Sequence, residues 1–194
     1  YQQTGAGGRF TLPLTQGTIG RLTVKLPADN LLVQVNGATT SYRRVRENDQ
    51  DSILLPLASS DTITVSWSPS REEAGFDRIV HVDTTSALNA TDAGLSLIQS
   101  AAYSIPQGSI EETLFQLPEG WELQSITGLD VGGWELAEEE GKRLLRIFLR
   151  RKVETETKIH FTMFQAVEFG DDPLELNYPH LIPLQVTGEK GLIG

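Results

Sequence analysis

Apolar residues recur at every second position along nearly the whole chain. This period is typical of β-strands, because successive side chains of a strand point to opposite faces of a sheet. Eight runs show it, separated by turn-forming residues: 22–26, 33–35, 53–57, 63–67, 80–82, 95–97, 145–149 and 159–163. Each run must bury one face, so the pattern predicts an all-β protein.

Two polar segments predict tight connections between these runs. Residues 58–61 join the runs at 53–57 and 63–67, and residues 138–142 precede the run at 145–149. We expect both to form hairpins, with Gly141 free to adopt a positive φ.

Helical periodicity is nearly absent. The best candidate is 86–100, where Leu88, Leu95 and Leu97 could form a short stripe. The interruption at Gly94 and the alternation of the two later leucines argue against a helix. We expect one short helical turn there at most.

A stretch of sequence repeats at an offset of 91 residues. Residues 16–37 align without a gap to 107–128, and seven of the 22 aligned positions are identical. The shared positions include the Leu-Pro steps at 26–27 and 117–118. Beyond this window, Tyr42 and Trp134 both follow the shared glycine, and two strand runs recur in the same order. The pattern indicates duplication of one β-unit.

Many short alternating strands favour stacked antiparallel sheets. We therefore predict two related antiparallel β-sandwich units in tandem, with a short linker-like C-terminal tail. The first unit covers 1–75 and could be truncated, and the second covers 76–170. Residues 171–194 carry three prolines and end in a Gly-rich stretch. We interpret them as a linker, or the start of a further unit, with one or two edge strands.

The repeated element is a strand ending in Leu-Pro, a strand ending before a glycine, an aromatic residue and a hairpin. Over about residues 16–165 it resembles the repeated β-rich ectodomains of large, mostly uncharacterised bacterial envelope proteins. The resemblance implies extracytoplasmic β-sandwich repeats and carries no catalytic residue to this chain.

The charge is negative and unevenly distributed. The net charge is −10, and residues 1–75 contribute none of it, with seven basic and seven acidic side chains. An acidic surface repels phosphate backbones, which disfavours nucleic-acid binding.

The longest apolar stretches fall far short of the ~20 residues of a membrane-spanning helix, and Tyr1-Gln2-Gln3 does not begin a signal peptide. The acidic, cysteine-free composition favours a periplasmic or cell-surface location.

Few residues suggest catalysis or a cofactor. The absence of cysteine excludes disulfides, thiolate zinc sites and iron–sulfur clusters. The three histidines lack metal-ligand spacing, and no nucleophile-elbow motif occurs. We predict no catalytic residue and no cofactor. The best metal candidates are Asp49 and Asp51, whose carboxylates alternate in a polar segment and could bind calcium.

Two features are candidates for binding. Six basic residues lie within 142–152, and Arg146 and Arg150 could contact an anionic partner, although cross-strand ion pairs could instead absorb their charge. Tyr42 and Trp134 could be exposed as platforms for sugar rings, although core packing is the favoured alternative. Trp67 lies in phase with buried positions, so we expect it in the core.

The sequence favours a non-enzymatic structural or interaction module of a longer exported or envelope-anchored protein. Such a module would display loops to a protein or polysaccharide partner. Two alternatives stay open. A carbohydrate-binding accessory module would expose Tyr42 and Trp134, and a hydrolase would gather His81 or His160 with carboxylates in one pocket.

Overall fold

The computed structural model describes residues 2–4, 7–15, 19–28, 31–37, 41–47, 50–58, 62–69, 78–167 and 178–193. Across these ranges the chain forms sixteen β-strands and no helix. The strands belong to three sheets, and most pairs are antiparallel. The all-β prediction is therefore confirmed. No helix long and apolar enough to cross a membrane occurs in the described ranges.

The chain divides into two compact units, and the first comprises Tyr1–Phe76 together with Gly132–Glu135. Its strands are β1 (Gln2–Thr4), β2 (Gly7–Pro13), β3 (Ile19–Lys25), β4 (Leu31–Asn36), β5 (Tyr42–Glu47), β6 (Gln50–Ala58) and β7 (Thr62–Pro69). One sheet has the order β1-β2-β7-β4. In another, β3, β6 and β5 are neighbours in that order, and β5 also pairs in parallel with Gly133 and Trp134.

The second unit comprises Asp77–Val131 and Leu136–Gly194. Its strands are β8 (Ile79–Thr91), β9 (Gly94–Gln107), β10 (Ile110–Gln116), β11 (Glu122–Thr127), β12 (Val131–Glu139, except Gly132–Glu135, which belong to the first unit), β13 (Lys142–Val153), β14 (Glu156–Gln165), β15 (Ile182–Leu184) and β16 (Gly188–Ile193). One sheet has the order β11-β14-β9-β8-β16, and β15, β10, β13 and β12 are neighbours in that order in another. β15 and β16 come from the segment expected to be a linker or the start of a further unit.

Alternate side chains fill the interior of each unit, as the two-residue period requires. In the first unit Ile53, Leu55, Ile63 and Val65 are at most 1% exposed, and Trp67 is buried as predicted. In the second unit the ring of Phe115 on β10 meets that of Phe161 on β14 edge-on, with centroids 4.8 Å apart. This contact joins the two sheets of the second unit.

The two predicted hairpins have different outcomes. β12 and β13 are neighbours joined at Glu140 and Gly141, which have φ of 52° and 75°, so this hairpin and the positive φ of Gly141 are confirmed. The hairpin predicted at 58–61 is wrong. β6 pairs with β3 and β5, whereas β7 pairs with β2 and β4 in another sheet. Alternation identifies strands, but it does not decide which strands pair.

The short helical turn allowed within 86–100 is also absent from the structure. β8 and β9 form a long antiparallel hairpin through Asp92 and Ala93, with Thr91 opposite Gly94. Val80, Val82, Thr84 and Ser86 alternate as buried positions along β8. The leucine spacing that suggested a helix spans the turn of this hairpin.

Candidate functional site

The described residues include a pocket of about 330 Å³ in the second unit. Its floor is the inner face of β8 and β16, and residues preceding β15 form its other side. The lining residues are Thr84, Ser86, Tyr178, His180, Glu189, Gly191 and Leu192. Their spacing follows from the fold, because Thr84 and Ser86 occupy buried, alternating positions of one strand.

A buried amide holds the segment that carries Tyr178 and His180. Gln99 on β9 has no exposed surface. Its Nε2 donates to the carbonyl of Leu181 at 2.9 Å, and its Oε1 accepts from the Leu181 amide at 2.8 Å. The register places Gln99 opposite Ser86. This two-point contact therefore fixes the main chain beside the pocket.

The hydroxyl of Thr84 links the two strands of the pocket floor. Its Oγ1 lies 3.4 Å from Oε1 of Glu189 and 3.3 Å from the carbonyl oxygen of Lys190, and it can donate to either acceptor. Gly191 lies opposite Thr84 in the parallel register. A β-carbon at Gly191 would lie 3.2 Å from Oγ1 of Thr84, so the glycine keeps space next to this hydroxyl.

Tyr178 contributes a hydroxyl group that is shielded from solvent. Within the part of the chain that the structure describes, this hydroxyl has no hydrogen-bond partner. Leaving a buried polar group unsatisfied costs about 1–3 kcal/mol. The pocket therefore includes a residue with unused hydrogen-bonding capacity beside the Thr84 and Ser86 hydroxyls and the Glu189 carboxylate.

The pocket brings together a serine, a histidine and a carboxylate, which are the residue types of a hydrolase triad. Activation of a serine requires a hydrogen bond between nucleophile and base, and a second one that orients the base. Among the described residues no hydrogen bond joins Ser86 to His180, nor His180 to Glu189. The arrangement therefore offers binding groups and lacks the contacts of an activated nucleophile.

The aromatic pair expected to be exposed lies elsewhere, in the first unit. Tyr42 is only 1% exposed, and its hydroxyl donates to the carbonyl of Val33 at 3.1 Å. Burial raises the pKa of Tyr42, and the nearby positive charge of Arg44 offsets part of that effect. Because its ring is buried, Tyr42 cannot act as a platform for a sugar.

Trp134 is partly exposed, but a cation covers one side of its ring. The guanidinium carbon of Arg43 lies 5.2 Å from the ring centroid. A contact of this kind is worth about 0.5–1 kcal/mol at an exposed site. A sugar ring that stacked on this face would have to displace Arg43.

The basic residues of β13 make contacts within the second unit. Arg150 donates from Nε to the carbonyl of Val131 at 2.7 Å, and Arg143 donates from Nη1 to that of Trp121 at 2.8 Å. Arg146 lies 4.0 Å from the carboxylate of Glu112. These contacts direct the predicted binding residues Arg146 and Arg150 toward the protein's own acceptors. The structure does not bring them into the pocket.

Asp51, a predicted calcium ligand, does not face solvent. It is buried, and its carboxylate lies 3.4 Å from Nη2 of Arg44, which also donates to the carbonyl of Leu31 at 3.0 Å. A buried guanidinium neutralises this carboxylate, which argues against calcium binding by Asp51. Asp49 lies outside the described residues. The described ranges contain no group of three or more carboxylates and histidines placed to hold a metal.

The hydrolase alternative expected His81 or His160 in a pocket. Both are exposed and lie on β8 and β14, on the side opposite the buried residues of these strands. Neither lines the pocket, which instead contains His180. Sequence reasoning missed the pocket, although polar residues at inward positions of β8 and β9 were a usable signal: Thr84, Ser86 and Gln99.

No protein-family model matches this chain, and no match was found among curated proteins.

Proposed function

We propose that this chain is a non-enzymatic structural and interaction module, built from two copies of one β-sandwich unit, within a longer exported or envelope-anchored protein. One recurring hydrogen bond carries the proposal. The amide of Leu26 donates to the carbonyl of Asp51 at 2.8 Å, and that of Leu117 donates to the carbonyl of Arg143 at 2.9 Å. The donors are 91 residues apart and the acceptors 92.

The strand orders support duplication. The order β1-β2-β7-β4 in the first unit corresponds to β8-β9-β14-β11 in the second. The order β3-β6-β5 corresponds to β10-β13-β12. Adding seven to the number of each strand in the first unit gives the corresponding strand in the second unit, with the same neighbours. Unrelated β-sheets have many permitted strand orders, so this correspondence favours a common origin.

The register supports it at the level of single residues. Val24 lies opposite Ile53, and Phe115 lies opposite Leu145. The first members of these pairs differ by 91 residues and the second by 92. A one-residue slip would place the buried side chains of a strand on the opposite face, so matched registers preserve the same core in both copies.

Contacts between sheets within each unit support the sandwich architecture. In the first unit the Tyr42 hydroxyl on β5 reaches the carbonyl of Val33 on β4, which lies in the other sheet. In the second unit Phe115 packs between Tyr103 and Phe161 of the facing sheet. A module of this kind contributes a rigid, well-packed scaffold, and its partners bind at its surface.

The chemistry of the described residues agrees with a structural role. The charged side chains with the least exposure are Arg44 and Asp51, and they neutralise each other inside the first unit. Arg143 and Arg150 donate to main-chain carbonyls. These polar groups hold strands together, which is a structural use of their side chains.

Fractionation of the source cells tests the proposal. An antibody raised against the full chain would locate it in separated cytoplasmic, membrane and extracytoplasmic fractions, and added protease would test accessibility in intact cells. We expect the protein outside the cytoplasm, with protease sensitivity in intact cells if it lies at the cell surface, while a cytoplasmic enzyme stays intact as control. A purely cytoplasmic location would refute the exported-module proposal.

A further inference from the structure

We propose that the pocket between β8, β16 and the segment 178–181 binds a neutral, polyhydroxylated ligand about the size of one sugar ring. This goes beyond a scaffolding role, because it assigns a small-molecule site to the second unit. It also differs from the carbohydrate alternative based on Tyr42 and Trp134, since neither residue lines this pocket.

The size of the pocket favours a single ring. Its volume of about 330 Å³ lies at the lower end of the roughly 300–1,000 Å³ typical of small-molecule sites. The floor of the pocket is an uninterrupted piece of sheet, because β16 pairs with β8 from Gly188 to Ile193. A ligand can therefore rest against the sheet beside the segment that Gln99 holds in place.

The hydrogen-bonding groups suit a polyol. Three hydroxyl-bearing residues line the pocket, namely Thr84, Ser86 and Tyr178. Each hydroxyl can both donate and accept, as can each hydroxyl of a sugar, so the two sets are complementary. The Tyr178 hydroxyl has no partner among the described residues, so it has capacity left for a ligand or for a water that a ligand would displace.

The charge of the pocket selects against anions. Glu189 supplies the carboxylate, which can accept hydrogen bonds from two ligand hydroxyls and would repel a phosphate or a second carboxylate. Lys190 is adjacent to Glu189 in β16, so its side chain lies on the opposite face of the strand, and it does not line the pocket. A neutral sugar is therefore favoured over a uronate or a sugar phosphate.

Two residues provide space and an apolar surface. Gly191 leaves the volume beside Thr84 unfilled. The ring of Tyr178 supplies an apolar surface that the C–H face of a sugar ring can contact, and it gives the pocket the mixed polar and apolar lining that sugar rings require.

Titration of the full chain by NMR tests this inference. The probes are glucose, galactose, mannose and N-acetylglucosamine, with glucuronate and glucose 6-phosphate as anionic counterparts. We expect at least one neutral sugar to shift the amide signals of Thr84, Ser86, Glu189 and Gly191, and to bind more tightly than the anionic counterparts. Because this uses the unaltered chain, it does not depend on how well a variant folds.

Variants then assign the binding groups. Ser86→Ala and Glu189→Gln should each weaken binding by about tenfold, the effect of losing one hydrogen bond of ordinary strength. Thr85→Ala and Lys190→Gln change neighbouring residues of the opposite phase and should leave the affinity unchanged. The inference is overturned if no neutral sugar shifts the pocket amides, if the anions bind more tightly, or if both pocket variants bind like the parent chain.

Discussion

The ring of Tyr42 lies against the Cα of Gly133, in the space that a β-carbon at residue 133 would occupy. The two residues are partners in the parallel pairing of β5 with β12. Gly133 is not required for a positive φ, since its backbone is ordinary strand. It is required because the buried ring of Tyr42 fills the space that a side chain at residue 133 would need.

Gly133→Ala should therefore destabilise the first unit by about 1–3 kcal/mol, the usual cost of overpacking a core. Urea unfolding of the full chain would measure it. Gly20→Ala is the matched control, because Gly20 also lies in a strand but has nothing within 4 Å of its hypothetical β-carbon. If the two variants were equally stable, Tyr42 would not occupy the described position.

The buried pair Arg44–Asp51 should be sensitive to the loss of either member. Asp51→Asn leaves the Arg44 guanidinium buried without a full counter-charge, and breaking a buried pair costs about 3–5 kcal/mol. We expect the double variant Arg44→Met, Asp51→Leu to recover much of that loss, because it removes both charges. Arg146→Met breaks an exposed pair and should change the unfolding free energy by less than about 1 kcal/mol. Equal effects at the buried and exposed pairs would contradict the described burial.

Burial raises the pKa of Tyr42 and Tyr103 in the folded protein above the value of about 10 that tyrosine has when unfolded. The folded state therefore keeps protons that the unfolded state releases. The associated stability is fully present below about pH 10 and is lost as the pH rises toward the folded-state pKa. Urea midpoints measured from pH 8 to 12 should fall above pH 10. In the double variant Tyr42→Phe, Tyr103→Phe the fall should be shallower, and an unchanged slope would argue against burial of these phenols.

Gln99→Leu should loosen the wall of the pocket. It removes both hydrogen bonds to the main chain of Leu181 and leaves a buried amide and carbonyl unsatisfied, at a cost of about 1–3 kcal/mol each. Amide hydrogen exchange at Leu181 should accelerate strongly, with little change in β13. Ser100→Ala alters the next residue, on the opposite face, and serves as control. Unchanged protection at Leu181 would show that another group holds this segment.

The strands could be predicted from sequence because burial of one face imposes a local, two-residue period. Ile63 and Trp67 lie where that period places them. Apart from the hairpin of β12 and β13, strand partners could not be predicted, because pairing depends on contacts between distant segments. β6 and β7 are an example, because two adjacent alternating runs look the same in sequence whether or not they pair.

The positions of the candidate site residues could not be predicted for a similar reason. Asp51 is in phase with Ile53 and Leu55, so the sequence already indicated an inward position, but its partner Arg44 lies on another strand. The ring of Tyr42 packs against Gly133, which lies about ninety residues later in the sequence. The pocket requires β8, β16 and the segment held by Gln99, and no local pattern connects them.

Duplication of one β-unit requires the same strand register in both copies, and cross-strand NMR contacts in the full chain measure that register. We expect Val24 to face Ile53 and Phe115 to face Leu145, with the amides of Leu26 and Leu117 both protected from exchange. Contacts that place Phe115 opposite a different strand, or in a register that does not match that of Val24, would contradict it.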